Sequence, residues 1–165
     1  MKKFLISLFS WVCVFLVGGL NAAEFDSSKV KSYEKKCTAK SADGCFYLGV
    51  AYFLGEGFEK NDAKALDFFK KADEFKPNNP LYISTIARMY YYDYKTEGGT
   101  TLDEAIKLFD RACKLKDAES CFELGEIYNF DSSKFDNSKA ASYYKLSCNL
   151  KDMDGCLKLR SLKDR

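Results

Sequence analysis

Seven cysteines, no histidine and three Ser-x-x-Lys pairs are the raw material for chemistry in this 165-residue chain. Six of the cysteines fall into three pairs, Cys37 and Cys45, Cys113 and Cys121, Cys148 and Cys156, each pair separated by 8 positions. Six cysteines allow 15 connectivities, but three identical intervals point to three copies of one local bridge. Zinc ligation favours pairs two to four positions apart, and thiol redox chemistry favours Cys-x-x-Cys. Neither spacing occurs, so no metal and no cofactor is expected. The absence of histidine excludes Ser-His-Asp and Cys-His catalysis, His-ligated zinc and a histidine general base. The Ser-x-x-Lys pairs are Ser28/Lys31, Ser32/Lys35 and Ser142/Lys145. With 14 serines and 22 lysines, about two such pairs arise by chance, and the Ser-Asp-Asn that accompanies the motif in serine β-lactamases is missing. Lys95-Thr96-Glu97-Gly98 is a near miss to Lys-Thr-Gly. No catalytic residue is assigned.

A local bridge needs an oxidising compartment, and the N-terminus supplies a route to one. Lys2 and Lys3 precede an apolar run from Phe4 to Leu20, then Asn21-Ala22-Ala23. That order reads as a secretory signal peptide, residues 1–23, cut near Ala23. Cys13 is discarded with it. The run is short for a membrane span and ends in small residues, which favours cleavage over an anchor. The expected mature chain, 24–165, suits one periplasmic or secreted domain with no stable membrane span. Without Lys2 and Lys3, 24 basic residues face 24 acidic ones, so no electrostatic footprint for nucleic acid or an anionic membrane exists. A monomer is expected.

The elements that would hold the cysteines emerge from self-comparison. Leu48-Gly49-x-x-Tyr52, Ile86-Ala87-x-x-Tyr90 and Leu124-Gly125-x-x-Tyr128 are spaced by 38. They alternate with Ala65-x-x-x-Phe69-x-x-Ala72, Ala105-x-x-x-Phe109-x-x-Ala112 and Ala140-x-x-x-Tyr144-x-x-Ser147. Positions 45, 48, 49 and 52 mark one face of a helix. The Gly/Ala/Gly slot admits a neighbouring helix closely, and the aromatic of the other motif fills the layer. The two kinds are termed helix A and helix B. The pattern predicts B over 27–39, A 42–54, B 62–75, A 80–92, B 101–115, A 118–130, B 137–149 and A 152–162. Thr101-Leu102-Asp103-Glu104 reads as a capping box. Each cysteine pair joins the end of a B helix to the start of the next A helix. The junction between 72 and 86 lacks the pair: Asp73 and Ile83 take the two slots, the link is longer, and Pro77 and Pro80 stiffen it. Arg160 takes a slot where another layer would pack, which reads as a cap.

These motifs resemble Sel1-like repeats, relatives of the tetratricopeptide repeat. The best unit runs Gly44-Cys45-Phe46-Tyr47-Leu48-Gly49 through Gly55-Glu56-Gly57 to Phe68-Phe69-Lys70-Lys71-Ala72. The added cysteine pairs, with Asp43-Gly44-Cys45 and Asp154-Gly155-Cys156, are similar to the Helicobacter cysteine-rich protein family. The resemblance implies an all-α fold, a right-handed α–α superhelix of about three repeats plus flanking half-repeats, stapled by disulfides, with helix A lining a concave face. It also implies binding of a protein, peptide or peptidoglycan-like ligand, with penicillin binding or slow β-lactamase activity as the alternative.

If 45, 48, 49 and 52 pack inward, the opposite side of helix A faces the groove. Helical spacing puts Phe46, Val50 and Phe53 there from the first repeat, Ser84, Arg88 and Tyr91 from the second, and Phe122, Glu126 and Asn129 from the third. Phe46, Phe53, Arg88, Tyr91, Glu126 and Asn129 are the ligand-groove candidates, because aromatic rings beside charged and amide groups anchor peptides and glycans. Tyr91, Tyr92 and Tyr94 form a dense cluster before the long loop.

Overall fold

A computed structural model describes residues 27–97 and 101–163. The expected signal peptide and its cleavage position lie outside the described residues. The described residues form eight helices in order: α1 (Ser27–Thr38), α2 (Ala42–Leu54), α3 (Asp62–Phe75), α4 (Pro80–Glu97), α5 (Leu102–Lys114), α6 (Ala118–Phe130), α7 (Asn137–Asn149) and α8 (Met153–Lys163). The odd-numbered helices are the B type and the even-numbered ones the A type. No described helix is long and apolar enough to cross a membrane.

Turn chemistry explains why the chain reverses where it does. Lys40, Asn78, Lys116 and Lys151 all hold positive φ, between 59° and 75°. Each follows a B helix and precedes an A-helix cap: Ser41, Asn79, Asp117 and Asp152 accept hydrogen bonds from backbone N–H groups of the helix that follows. At three of these junctions the left-handed residue and its successor bond back to the outgoing helix. Lys116 N–H donates to Cys113 O at 2.9 Å and Asp117 N–H to Ala112 O at 3.1 Å, the paired closure expected where a helix ends in a left-handed residue. A three-residue link therefore leaves the outgoing and incoming helices crossing closely at these junctions.

That crossing sets the staples. Cys37–Cys45, Cys113–Cys121 and Cys148–Cys156 are bonded, with Cα separations of 4.4, 4.8 and 4.6 Å. The residue before the second cysteine must be small. A Cβ on Gly44 would come within 2.5 Å of Lys36 Cβ and 2.8 Å of Cys37 N. Ser120, at the same point of the third repeat, is wholly buried. The fourth junction replaces the staple with polar contacts. Tyr82 takes the small-residue position, is buried, and its hydroxyl donates to Asp43. Asp73, in a cysteine slot, is held by Arg111 of the next B helix through bonds of 2.9 and 3.3 Å. The unstapled junction is thus tied across layers instead of within one.

Stacking uses the two sequence motifs against each other. A Cβ on Gly49 would lie 2.7 Å from the Phe69 ring, and one on Gly125 would lie 2.5 Å from that of Tyr144. Ala65, Phe69, Ala105, Phe109, Ala140 and Tyr144 are at most 2% exposed. Burying such side chains supplies the layer contacts that no single repeat could make alone.

Two expectations need correction. Helix α4 runs to Glu97, five residues past the expected end, because Thr96 and the tyrosines before it continue the helix with no breaker until Gly98. Thr101 does not cap α5: its hydroxyl donates back towards α4, at 2.7 Å from Tyr90 O and 2.9 Å from Asp93 Oδ2. The extended α4 brings those acceptors within reach, and bonding to them turns the hydroxyl away from the N–H groups of α5.

Candidate ligand groove

The even-numbered helices contribute one register of side chains each to a shared surface. Between α2 and α4 a groove of about 540 Å³ is lined by Phe46, Val50, Phe53, Thr85, Arg88, Met89, Tyr91, Tyr92 and Lys95 over the buried Phe69. Four of the six sequence candidates, Phe46, Phe53, Arg88 and Tyr91, share it. Phe46 forms its base, with ring centroids 5.4 Å from Phe69 and 5.2 Å from Tyr82. Phe53 is 39% exposed at the rim. Tyr91 packs edge-on against Phe109, and the Lys95 ammonium lies 5.5 Å from its ring centre. Burial and the nearby carboxylates of Glu123, Asp131 and Glu126 push the Tyr91 hydroxyl above its ordinary pKa, so it stays a neutral donor.

The α6 side of the surface is acidic. Arg88 reaches across to Glu119 at 2.5 Å. Glu126 is engaged on two sides, by the Tyr144 hydroxyl at 2.5 Å and the Lys158 ammonium at 2.8 Å. It locks α6, α7 and α8 together more than it faces solvent. Glu123 is half-buried; burial and the neighbouring Glu119 and Glu126 outweigh Arg88 and raise its pKa. Glu119, Phe122, Glu123, Asp152 and Asp154 line a second hollow of about 440 Å³.

Asn129 and Ser84 do not lie open as the spacing suggested. Ser84 is 2% exposed and donates to Leu81 O; a short side chain sinks between the bulkier residues of its layer. Asn129 is 5% exposed, and its Oδ1 accepts no hydrogen bond. The tyrosine cluster divides its work. Tyr91 and Tyr92 line the groove, whereas Tyr94 donates to Asp131 at 2.9 Å. Burial works against the Asp131 anion, but bonds from Ser133 and Tyr94 prevail and hold its carboxyl below the usual range.

Spacing on helix A pointed to Phe122, Glu126 and Asn129 on α6 and passed over Glu119 and Glu123. Glu123 stands 38 positions after Thr85 and 76 after Tyr47, so carrying the repeat register one column further would have found it.

Hollows on the opposite side carry less. One of about 610 Å³ is lined by Cys113, Lys116, Tyr128, Tyr143 and Leu150. Another of about 520 Å³ is lined by Cys37, Lys40, Tyr52, Phe68 and Phe75. The linings correspond position by position, which marks them as gaps between stacked B helices. The Ser-x-x-Lys serines sit on α1 and α7 with exposed side chains; Ser142 donates to Ser138 O at 2.9 Å. Neither helix carries a groove residue, and no group of His, Cys, Asp and Glu fit for a metal occurs among the described residues.

Comparison with known proteins adds to this geometry. A family model described as Sel1 repeat matches residues 42–72, 87–117 and 118–152. The unmatched stretch between the first two spans the unstapled junction. HcpC of Helicobacter pylori strain J99, whose name assigns it provisionally as a beta-lactamase, is 46% identical over 46 residues, 27% of this chain and 16% of that protein. A Sel1 repeat protein from Oxalobacter formigenes superposes with a TM-score of 0.68 at 26% identity, over 81% of this chain and 53% of that one. Helicobacter pylori cysteine rich protein B superposes with a TM-score of 0.54 at 22% identity, over 84% and 98% of the two chains, which shows the fold alone. The chain is a right-handed helical solenoid of this kind, stapled by disulfides. It spans about half of the Oxalobacter protein and a sixth of HcpC.

Proposed function

The chain belongs to the Sel1 repeat family, and from that premise we propose that it is an exported scaffold whose groove holds a segment of a protein, peptide or cell-wall-type ligand. One observation carries this reading: Phe46, Phe53, Arg88 and Tyr91, from two successive A helices, converge on one groove. Aromatic side chains with a few placed polar groups are what a binding surface needs. Three disulfides suit an oxidising compartment and support export through residues 1–23. The oxidised protein, immobilised and exposed to periplasmic extract, is expected to retain a partner that the Phe53→Arg variant releases. Equal retention by both proteins would remove the groove from the reading.

The name of HcpC favours a second reading, slow β-lactamase activity. The residues oppose it: the Ser-x-x-Lys pairs lie on B helices, and histidine is absent. Turnover of a chromogenic cephalosporin is expected to stay at background. Turnover that survives Ser28→Ala but is lost in Tyr91→Phe would shift the assignment to catalysis in the groove.

A further inference from the structure

We propose that the groove's partner is a peptide carrying an aliphatic or aromatic side chain and, a few residues along, a lysine or arginine. The apolar side chain enters the hollow between α2 and α4, and the cation meets the carboxylates of α6. This inference rests on the groove being the binding site and names what that site selects.

The repeat register shows the polarity. At equivalent positions the first layer offers Phe46, Tyr47, Val50 and Phe53, preceded by Asp43, whose carboxylate is taken up by the Tyr82 hydroxyl. The third offers Phe122, Glu123, Glu126 and Asn129, preceded by Glu119. A generic stacking role would not need carboxylates in one layer and rings in another. Two of the three glutamates are spoken for, Glu119 by Arg88 and Glu126 by Lys158. Glu123 lies between them, half-buried, with no direct ion pair or hydrogen bond among the described residues. The hollow it lines with Glu119, Phe122, Asp152 and Asp154 has no basic residue in its wall.

An acidic group at the α6 carboxylates would set like charges together in a partly desolvated site, whereas the two cations of the α2–α4 wall, Arg88 and Lys95, are already paired with Glu119 and Asp131.

Spacing follows from geometry. Neighbouring packed helices lie about 10 Å apart, so the path from the α2–α4 hollow to the α6 carboxylates is roughly 15–20 Å. At about 3.3–3.6 Å per extended residue, the cation lies about four to six residues from the apolar side chain.

The test is selection of a random 12-residue phage-displayed library on the full oxidised protein. Recovered sequences are expected to pair Phe, Trp, Leu or Met with Lys or Arg at about four to six residues. A synthetic peptide of recovered sequence should weaken about tenfold when its lysine becomes glutamine, the loss of one partly buried charge pair. It should weaken similarly on the Glu123→Gln protein, whose fold is checked by circular dichroism, and selection on Glu123→Lys should replace the basic residue with Asp or Glu. Recovered peptides that ignore both the Lys→Gln and Glu123→Gln changes, yet fail on Phe53→Arg, would overturn the charge selection and leave the groove reading standing. Peptides that bind Phe53→Arg as tightly as wild type would overturn the groove reading itself. Failure to recover any peptide, or binding of purified muropeptide alone, would overturn the peptide class.

Discussion

Lysine is a poor resident of the left-handed region, yet Lys40, Lys116 and Lys151 all hold it. The strain, about 1–2 kcal/mol for a residue with a Cβ, exceeds the extra entropy glycine would lose on folding, about 0.5–1 kcal/mol. Lys116→Gly is therefore expected to stabilise the protein by about 0.5–1 kcal/mol. Urea unfolding checks this as a higher midpoint at unchanged slope, and an unchanged or lower midpoint would refute it. Tyrosine supplies the other residue-scale expectation. Burial, then the bond to Asp43, pushes the Tyr82 hydroxyl up to about 12, and burial with Asp110 pushes Tyr143 up to about 12. Both phenols ionise near 10 in an unfolded chain. The fold then holds protons that the unfolded chain has released, so stability is intact below pH 10 and falls as pH rises from 10 towards 12. A spectrophotometric titration should show two phenols ionising last, and the melting temperature should drop over the same window, less steeply in Tyr82→Phe.

At the scale of elements, much of the architecture was legible because each helix carries its packing partner in its own sequence. Leu-Gly-x-x-Tyr and Ala-x-x-x-Phe-x-x-Ala are two halves of one contact, and Gly125 against Tyr144 is that contact made. An alanine methyl at 125 would stand 2.5 Å from the ring. Gly125→Ala is expected to cost about 2–3 kcal/mol through overpacking, read as a lowered urea midpoint; a cost under 0.5 kcal/mol would show that α7 can move away. The bounds of α4 and the cap of α5 were not legible. Thr101 matched a capping pattern, but a local pattern does not see acceptors 8 and 11 residues back that arrive only when α4 is extended. Asn129 failed for a related reason. Helical spacing gives direction around an axis, whereas depth depends on what the neighbouring layer covers. Glu123 was reachable from the register, and its isolation among paired glutamates was not.

The whole molecule is a line of layers, and its staples act along that line in a particular way. Each disulfide closes a short loop within one junction, and none links two layers. On loop entropy alone each contributes about 2.5 kcal/mol, so three together rival the total stability of about 5–15 kcal/mol typical of a domain. Full reduction is expected to abolish most helical circular dichroism at 37 °C. Removing single bridges should not be equivalent, because in a stacked array stability is a sum of local and neighbour terms. Loss of Cys148–Cys156 leaves α8 held by the Glu126–Lys158 pair and, at its cap, by the Ser147 hydroxyl on Asp152, both at the end of the described array, so that layer can open alone. Loss of Cys113–Cys121 weakens a junction between layers that must both remain folded. Replacing 148 and 156 with serine should therefore expose α8 amides to rapid hydrogen exchange and leave α2 to α5 protected. The same change at 113 and 121 should lower protection throughout. The unstapled junction after Phe75 should behave unlike either. Arg111 bridges it to Asp73 and Asn78, tying α3 to the following layer, so its amides should stay protected under reductant longer than those of α1 and α8. Equal exchange at all four junctions after reduction would mean that the interlayer contacts, not the staples, govern opening.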